Sequence, residues 1–128
     1  MKKFLKYWLP VIIWAGVIFF FSNQSYLESP LPQVWDFAMR KTAHITEYFI
    51  LTWLLLRALF ASQTVSISRK KIIFLAIVLS IFYAVTDEFH QSFILGRHPA
   101  LYDIGFDGFG AILGALMYQV FKKNLAEA

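Results

Sequence analysis

Four long apolar runs, each punctuated at one end by polar residues, organise the chain. The first follows a basic start (Lys2, Lys3, Lys6) and extends from Trp8 to Phe21. The second lies within Thr42 to Phe60, the third is Ile72 to Val85, and the fourth is Ile104 to Phe121. Neither Ile72 to Val85 nor Ile112 to Phe121 shows a polar helical face, and a helix that is apolar all round is buried or faces lipid. Crossing the hydrocarbon of a bilayer takes about 20 residues, within a range of roughly 17 to 25. The third run has 14 residues before Thr86, so it reaches spanning length only by continuing through Asp87, Glu88 and Phe89. The second and fourth reach it only by including His44, Glu47 and Asp107. The pattern predicts an all-α membrane protein, a four-transmembrane-helix bundle with helices at about 4–21, 42–60, 72–90 and 104–121, forming one domain over residues 1–128.

The connecting segments fit this reading. Pro10 lies near the expected start of the first helix, where a missing N–H costs least. The run Phe21-Ser22-Asn23-Gln24-Ser25 has no small-x-small cleavage pattern, so the first helix is expected to stay in the membrane. Ser22 to Arg40 reads as a connector broken by Pro30 and Pro32. Within it, Gln33 to Met39 is expected to form a short interfacial helix anchored by Trp35. Glu28 and Asp36 are expected to be solvated loop charges, and His98, beside Pro99, a loop residue.

Composition sharpens the environment. Hydrophobic residues make up 59% of the chain and charged residues 16%, against roughly a quarter charged in soluble proteins. Fourteen Phe, six Tyr and four Trp in 128 residues are more aromatic surface than a small domain can bury. Lipid is the natural cover, and membrane lipids are the expected neighbours. There is no cysteine, which excludes disulfides and thiolate sites. The basic residues flank apolar runs and form no patch suited to nucleic acid.

The charges also divide by side. With four spans, nine Lys and Arg and one acid (Glu127) share a side with the termini. Three basic residues (Arg40, Lys41, Arg97) and seven acids share the other, together with all three histidines. The positive-inside rule places both termini in the cytoplasm. The expected location is the cell membrane, multi-pass, with a polar cluster at the outer face.

That cluster supplies the candidate chemistry. On the second helix Lys41, His44 and Tyr48 share a face, with Glu47 beside His44. On the third, Asp87 and Gln91 stack at i, i+4, and Glu88 points about a quarter-turn away. On the fourth, Asp103 and Asp107 stack, with Gly110 and Gly114 close to the same stripe, where another backbone can approach. The turn Leu95-Gly96-Arg97-His98-Pro99 is suited to present Arg97. Ionisable groups at membrane depth face a bundle interior or a wet cavity, so the three polar faces are expected to meet. Lys41, His44, Tyr48, Asp87, Glu88, Gln91, Arg97, Asp103 and Asp107 are the candidate binding residues; His44, Glu88 and Asp87 are the candidates for acid–base work. The same groups also suit an ion-pair network that only fixes helix register, or charges solvated among headgroups. Their spacing does not point to a metal site, and no cofactor is expected.

The spaced set Lys41-x-x-His44-x-x-x-Tyr48, Asp87-Glu88-x-x-Gln91, Gly96-Arg97, Asp103, Gly110 and Gly114 resembles the VanZ-like family, as does Phe21-Ser22-Asn23-Gln24-Ser25 after the first helix. The chain departs from that pattern where Asp107 stands in place of a common Asn. The resemblance implies a small integral membrane protein from a family whose namesake is linked to resistance to the glycopeptide antibiotic teicoplanin; it implies no particular reaction. The expected ligand is a lipid-linked envelope component, such as a cell-wall precursor, or a lipoglycopeptide, with Phe89 and Tyr48 against its tail. The alternative is a membrane-embedded hydrolase or transferase acting on a lipid phosphate or cell-wall intermediate.

Overall fold

The computed structural model describes residues 1–24, 30–63 and 66–127. Ser25, Glu28 and part of the loop between Ala61 and Lys71 lie outside them. Among the described residues the chain is all helical: α1 is Lys2–Ser22, α2 Gln33–Ala61, α3 Arg69–Gln91 and α4 Leu101–Glu127. All four are long and apolar enough to cross a membrane.

Each helix exceeds its apolar run, because hydropathy marks the greasy part and not the hydrogen-bonded end. α3 begins with Arg69, Lys70 and Lys71, and α4 continues through Lys122 and Lys123. The largest difference is in α2. No separate interfacial helix covers Gln33 to Met39; those residues are the first two turns of α2 itself, entered directly from Pro32. Proline's fixed φ and missing N–H are tolerated just ahead of a helix and break only its interior. Pro10, by contrast, falls inside α1, which starts at Lys2.

The helices alternate in direction, as cross-helix contacts show. Trp8 Nε1 donates to Ser62 Oγ at 2.7 Å and Trp14 Nε1 to the Glu47 carbonyl at 2.9 Å, pairing α1 antiparallel to α2. Thr52 and Ser80 hydroxyls meet at 2.7 Å between α2 and α3. Tyr83 donates to the Ala15 carbonyl at 2.6 Å and Gln91 to Ser22 Oγ at 2.9 Å, setting α3 parallel to α1. The end of α1, the start of α2, the end of α3 and the start of α4 therefore gather at one end of the bundle.

The tightest packing is between α2 and α4, which run parallel. A Cβ built on Gly110 would collide with the backbone of Ile45, and one on Gly114 would lie 2.5 Å from the Phe49 carbonyl oxygen. Two glycines one turn apart thus let the helix backbones touch, as small residues do in membrane bundles. α1 is the peripheral helix: Val11, Ile18 and Ser22 form its buried stripe, while Ile12, Ile13, Phe19 and Phe20 face outward.

On α3 the inward stripe is Ile72, Ala76, Ser80, Ala84, then Asp87, Glu88 and Gln91. The α4 stripe changes in the opposite order, from Asp103 and Asp107 to Ala111, Ala115 and Tyr118. One half of the interior is apolar and the other polar. This division positions the site.

Candidate functional site

The polar half encloses a cavity of about 540 Å³. α1 contributes Ile18, Phe21 and Ser22; α2 contributes Asp36, Arg40, Lys41, His44 and Glu47; α3 contributes Asp87 and Gln91. The turn before α4 adds Arg97 and His98, and α4 itself Tyr102 and Asp103. Of the predicted binding residues, Lys41, His44, Asp87, Gln91, Arg97 and Asp103 line it. Tyr48, Glu88 and Asp107 do not.

Most of the charges answer one another. Lys41 forms an ion pair with Asp103, each side chain 12% exposed. Its ammonium also lies over the rings of Phe37, Tyr102 and Phe106, 4.8–5.5 Å from their centroids. A cation held by a carboxylate and three aromatic faces is fixed in place, so Lys41 ties α2 to α4 more than it offers a free charge. Arg40 Nε pairs with Asp36 at 2.9 Å along α2. Asp36 is therefore a helical residue at the cavity, not a loop charge, because α2 begins before it.

His44 Nδ1 lies 2.9 Å from Asp107 Oδ1, and the Asp107 side chain is only 1% exposed. With Nδ1–H donating to the carboxylate, Nε2 is left as an acceptor. Asp107 thus orients the His44 ring from behind the cavity wall.

Arg97 follows Gly96, whose φ of 80° lets the turn reverse in a region that L side chains avoid. The guanidinium donates to the Phe21 carbonyl at 3.0 Å, the Gln24 carbonyl at 3.1 Å and Gln91 Oε1 at 3.5 Å. Orphan carbonyls at a helix C-terminus suit a cation. A guanidinium has five N–H donors, and among the described residues these three bonds leave two unused. Among the described residues Arg97 forms no ion pair. In the alternative ion-pair reading Arg97 would pair with Asp87, Glu88 or Asp103; it does not, because carbonyls at and just beyond the end of α1 hold it.

Asp87 accepts a hydrogen bond from Gln91 Nε2 at 3.2 Å but pairs with no cation among the described residues. The Glu47 carboxylate, which lines the cavity, has no ion-pair partner there either. Glu88 turns toward the start of α4, where Oε2 accepts the Ala100 N–H at 3.2 Å. Its Oε1 and the Tyr48 hydroxyl are buried without a hydrogen bond among the described residues, and such atoms normally have one. His90 packs on Phe19, with ring centroids 4.7 Å apart, on the outside of the bundle. Phe89 is 69% exposed and meets Phe93 edge to face, and neither it nor the buried Tyr48 borders the cavity. No group of three or more His, Asp or Glu among the described residues is arranged to hold a metal ion.

Sequence reasoning missed Ser22 and Tyr102 and set His98 aside. Ser22 had a signal, since it continues the Val11 and Ile18 stripe. Tyr102 and His98 had none, because their positions follow from the turn before α4.

Fold and site define a class: a small all-helical protein with four helices able to cross a membrane and a charged cavity between their gathered ends. The chain belongs to the VanZ/LLP1 family, whose model matches residues 7–122. No curated protein matches the chain, and no solved structure does.

Proposed function

We propose that this VanZ/LLP1 protein is a multi-pass protein of the cell membrane, with both termini in the cytoplasm, whose cavity opens on the outer side and holds the polar head of an amphiphile. The supporting observation is the set of charges left unanswered within one cavity. Arg97 keeps free N–H donors, while Asp87 and Glu47 lack a cation. That set complements a head carrying both an anionic group and donors such as an ammonium or sugar hydroxyls. Arginine grips phosphate or carboxylate with parallel N–H bonds, and buried unpaired carboxylates attract donors.

Lipid-linked envelope components and lipoglycopeptides both have heads of this kind. A contribution to teicoplanin resistance would follow if the cavity takes the lipoglycopeptide, and would appear as lowered susceptibility in cells expressing the protein. The purified protein should bind a polyprenyl diphosphate, and Arg97→Gln should weaken that binding roughly tenfold, about 1.4 kcal/mol. Equal binding by the parent protein and Arg97→Gln, with both folded, would contradict this reading.

A second reading has its own observation. A buried carboxylate on His44 Nδ1, with Nε2 available as an acceptor, is an arrangement suited to general base catalysis. The protein would then hydrolyse or transfer a lipid phosphate, with Arg97 holding the phosphate. Phosphate release from a polyprenyl diphosphate that disappears in His44→Gln would establish catalysis. Binding without release would leave the first reading.

A further inference from the structure

A second cavity lies along the same half of α2. It is also about 540 Å³, and is bordered by Trp14 of α1 and by Trp35, Ala38, Met39, Thr42 and Thr46 of α2. Ala43 and Glu47 line both cavities. The two spaces therefore share a wall, and part of that wall is a single methyl group.

The second space is an apolar groove in spite of its polar residue types. Trp14 Nε1 donates to the Glu47 carbonyl at 2.9 Å. The Thr42 hydroxyl bonds the Ala38 carbonyl and the Thr46 hydroxyl the Thr42 carbonyl, each at 2.8 Å. These polar atoms are satisfied by helix carbonyls, which leaves indole, thioether and methyl surface to face the groove. The Glu47 carboxylate is the exception and marks the boundary with the polar cavity.

The groove also has the right depth. α2 has 29 residues, about 43 Å of helix, against roughly 30 Å of hydrocarbon. Trp35 to Glu47 covers about 18 Å of it. With Trp35 as the interfacial anchor, the groove would run from the headgroup layer down beside the lipid chains to Glu47.

We propose that this groove seats the hydrocarbon chain of the same amphiphile whose head occupies the polar cavity. The molecule enters and leaves sideways between α1 and α2, passing over Ala43. The inference rests on the head-group reading of the polar cavity. A chain leaving through the mouth of that cavity would meet water; over Ala43 it stays against apolar surface and lipid, as the hydrophobic effect requires.

The test uses the full chain in phospholipid vesicles with a short polyprenyl diphosphate, its chain about as long as the groove, carrying a benzophenone at its tail end. After irradiation, labelled peptides are mapped by mass spectrometry. Label should concentrate on the groove residues, Trp35 to Thr46 and Trp14. Ala43→Phe, a change at an exposed position, should remove most of that label by closing the shared wall, while Ala43→Ser should keep it. In parallel, binding of inorganic diphosphate, which has no tail, should persist in Ala38→Trp, which fills the groove at a position that does not line the polar cavity, and fall in Arg97→Gln. Diphosphate binding with tail label spread over the outward faces of α3 and α4 would overturn the groove and leave the head-group site standing. Loss of diphosphate binding sensitivity to Arg97 would overturn both.

Discussion

His44 on α2 and Asp107 on α4 meet at 2.9 Å, the carboxylate buried and the imidazole at the cavity wall. Asp107 stands where an amide is common in the family pattern that the sequence resembles, and the pairing shows what the position does here: its Oδ1 accepts from a ring nitrogen. An amide oxygen can do the same. Asp107→Asn should therefore cost no more than about 1 kcal/mol, the scale of one net hydrogen bond. Asp107→Ala leaves the His44 Nδ1–H without its acceptor and should cost about 1–3 kcal/mol. Thermal unfolding in detergent micelles compares the two; equal midpoints would show that the contact does not orient His44.

The α2–α4 contact predicts a contrast among glycines. Gly110→Ala and Gly114→Ala place a Cβ against the backbones of Ile45 and Phe49, where no flexible side chain can yield. Each should destabilise the bundle by about 1–3 kcal/mol, the usual cost of overpacking. Gly105 has nothing within 4 Å of an added Cβ, so Gly105→Ala should be neutral or gain up to about 1 kcal/mol from helix propensity. Gly110→Ala as stable as Gly105→Ala would refute the close approach.

Topology is accessible because the chain has no cysteine. Ile67 is 49% exposed in the loop between α2 and α3, and His98 is exposed at the other end of the bundle. In intact cells a membrane-impermeant maleimide should label His98→Cys and leave Ile67→Cys unlabelled until the membrane is opened. Labelling of Ile67→Cys in intact cells would reverse the proposed orientation.

These tests fall where the sequence was least explicit. The four helices were legible because an apolar run of membrane length has few other uses. The inward faces were legible too: Asp87 with Gln91 and Asp103 with Asp107 stack as their spacing requires. Periodicity names a face but not its partner. It did not choose between Asp103 and Asp87 for Lys41, nor reveal that the carbonyls at the end of α1 would hold Arg97. The start of α2 at Gln33 was hidden because its first turns are polar and hydropathy does not register them. Glu88 was read as a cavity residue, although its quarter-turn offset from Asp87 directs it to the Ala100 N–H. Tyr48 shares a face with His44 but lies one turn further toward the apolar half, which is enough to bury it.

The most direct test of the account is an experimental density map of the protein crystallised with a polyprenyl diphosphate. The account predicts phosphate density within hydrogen-bonding distance of the Arg97 guanidinium, inside the cavity bounded by Asp87, Glu47 and His44. Ordered lipid found only on the outward faces of α1 and α3, with water alone around Arg97, would contradict it.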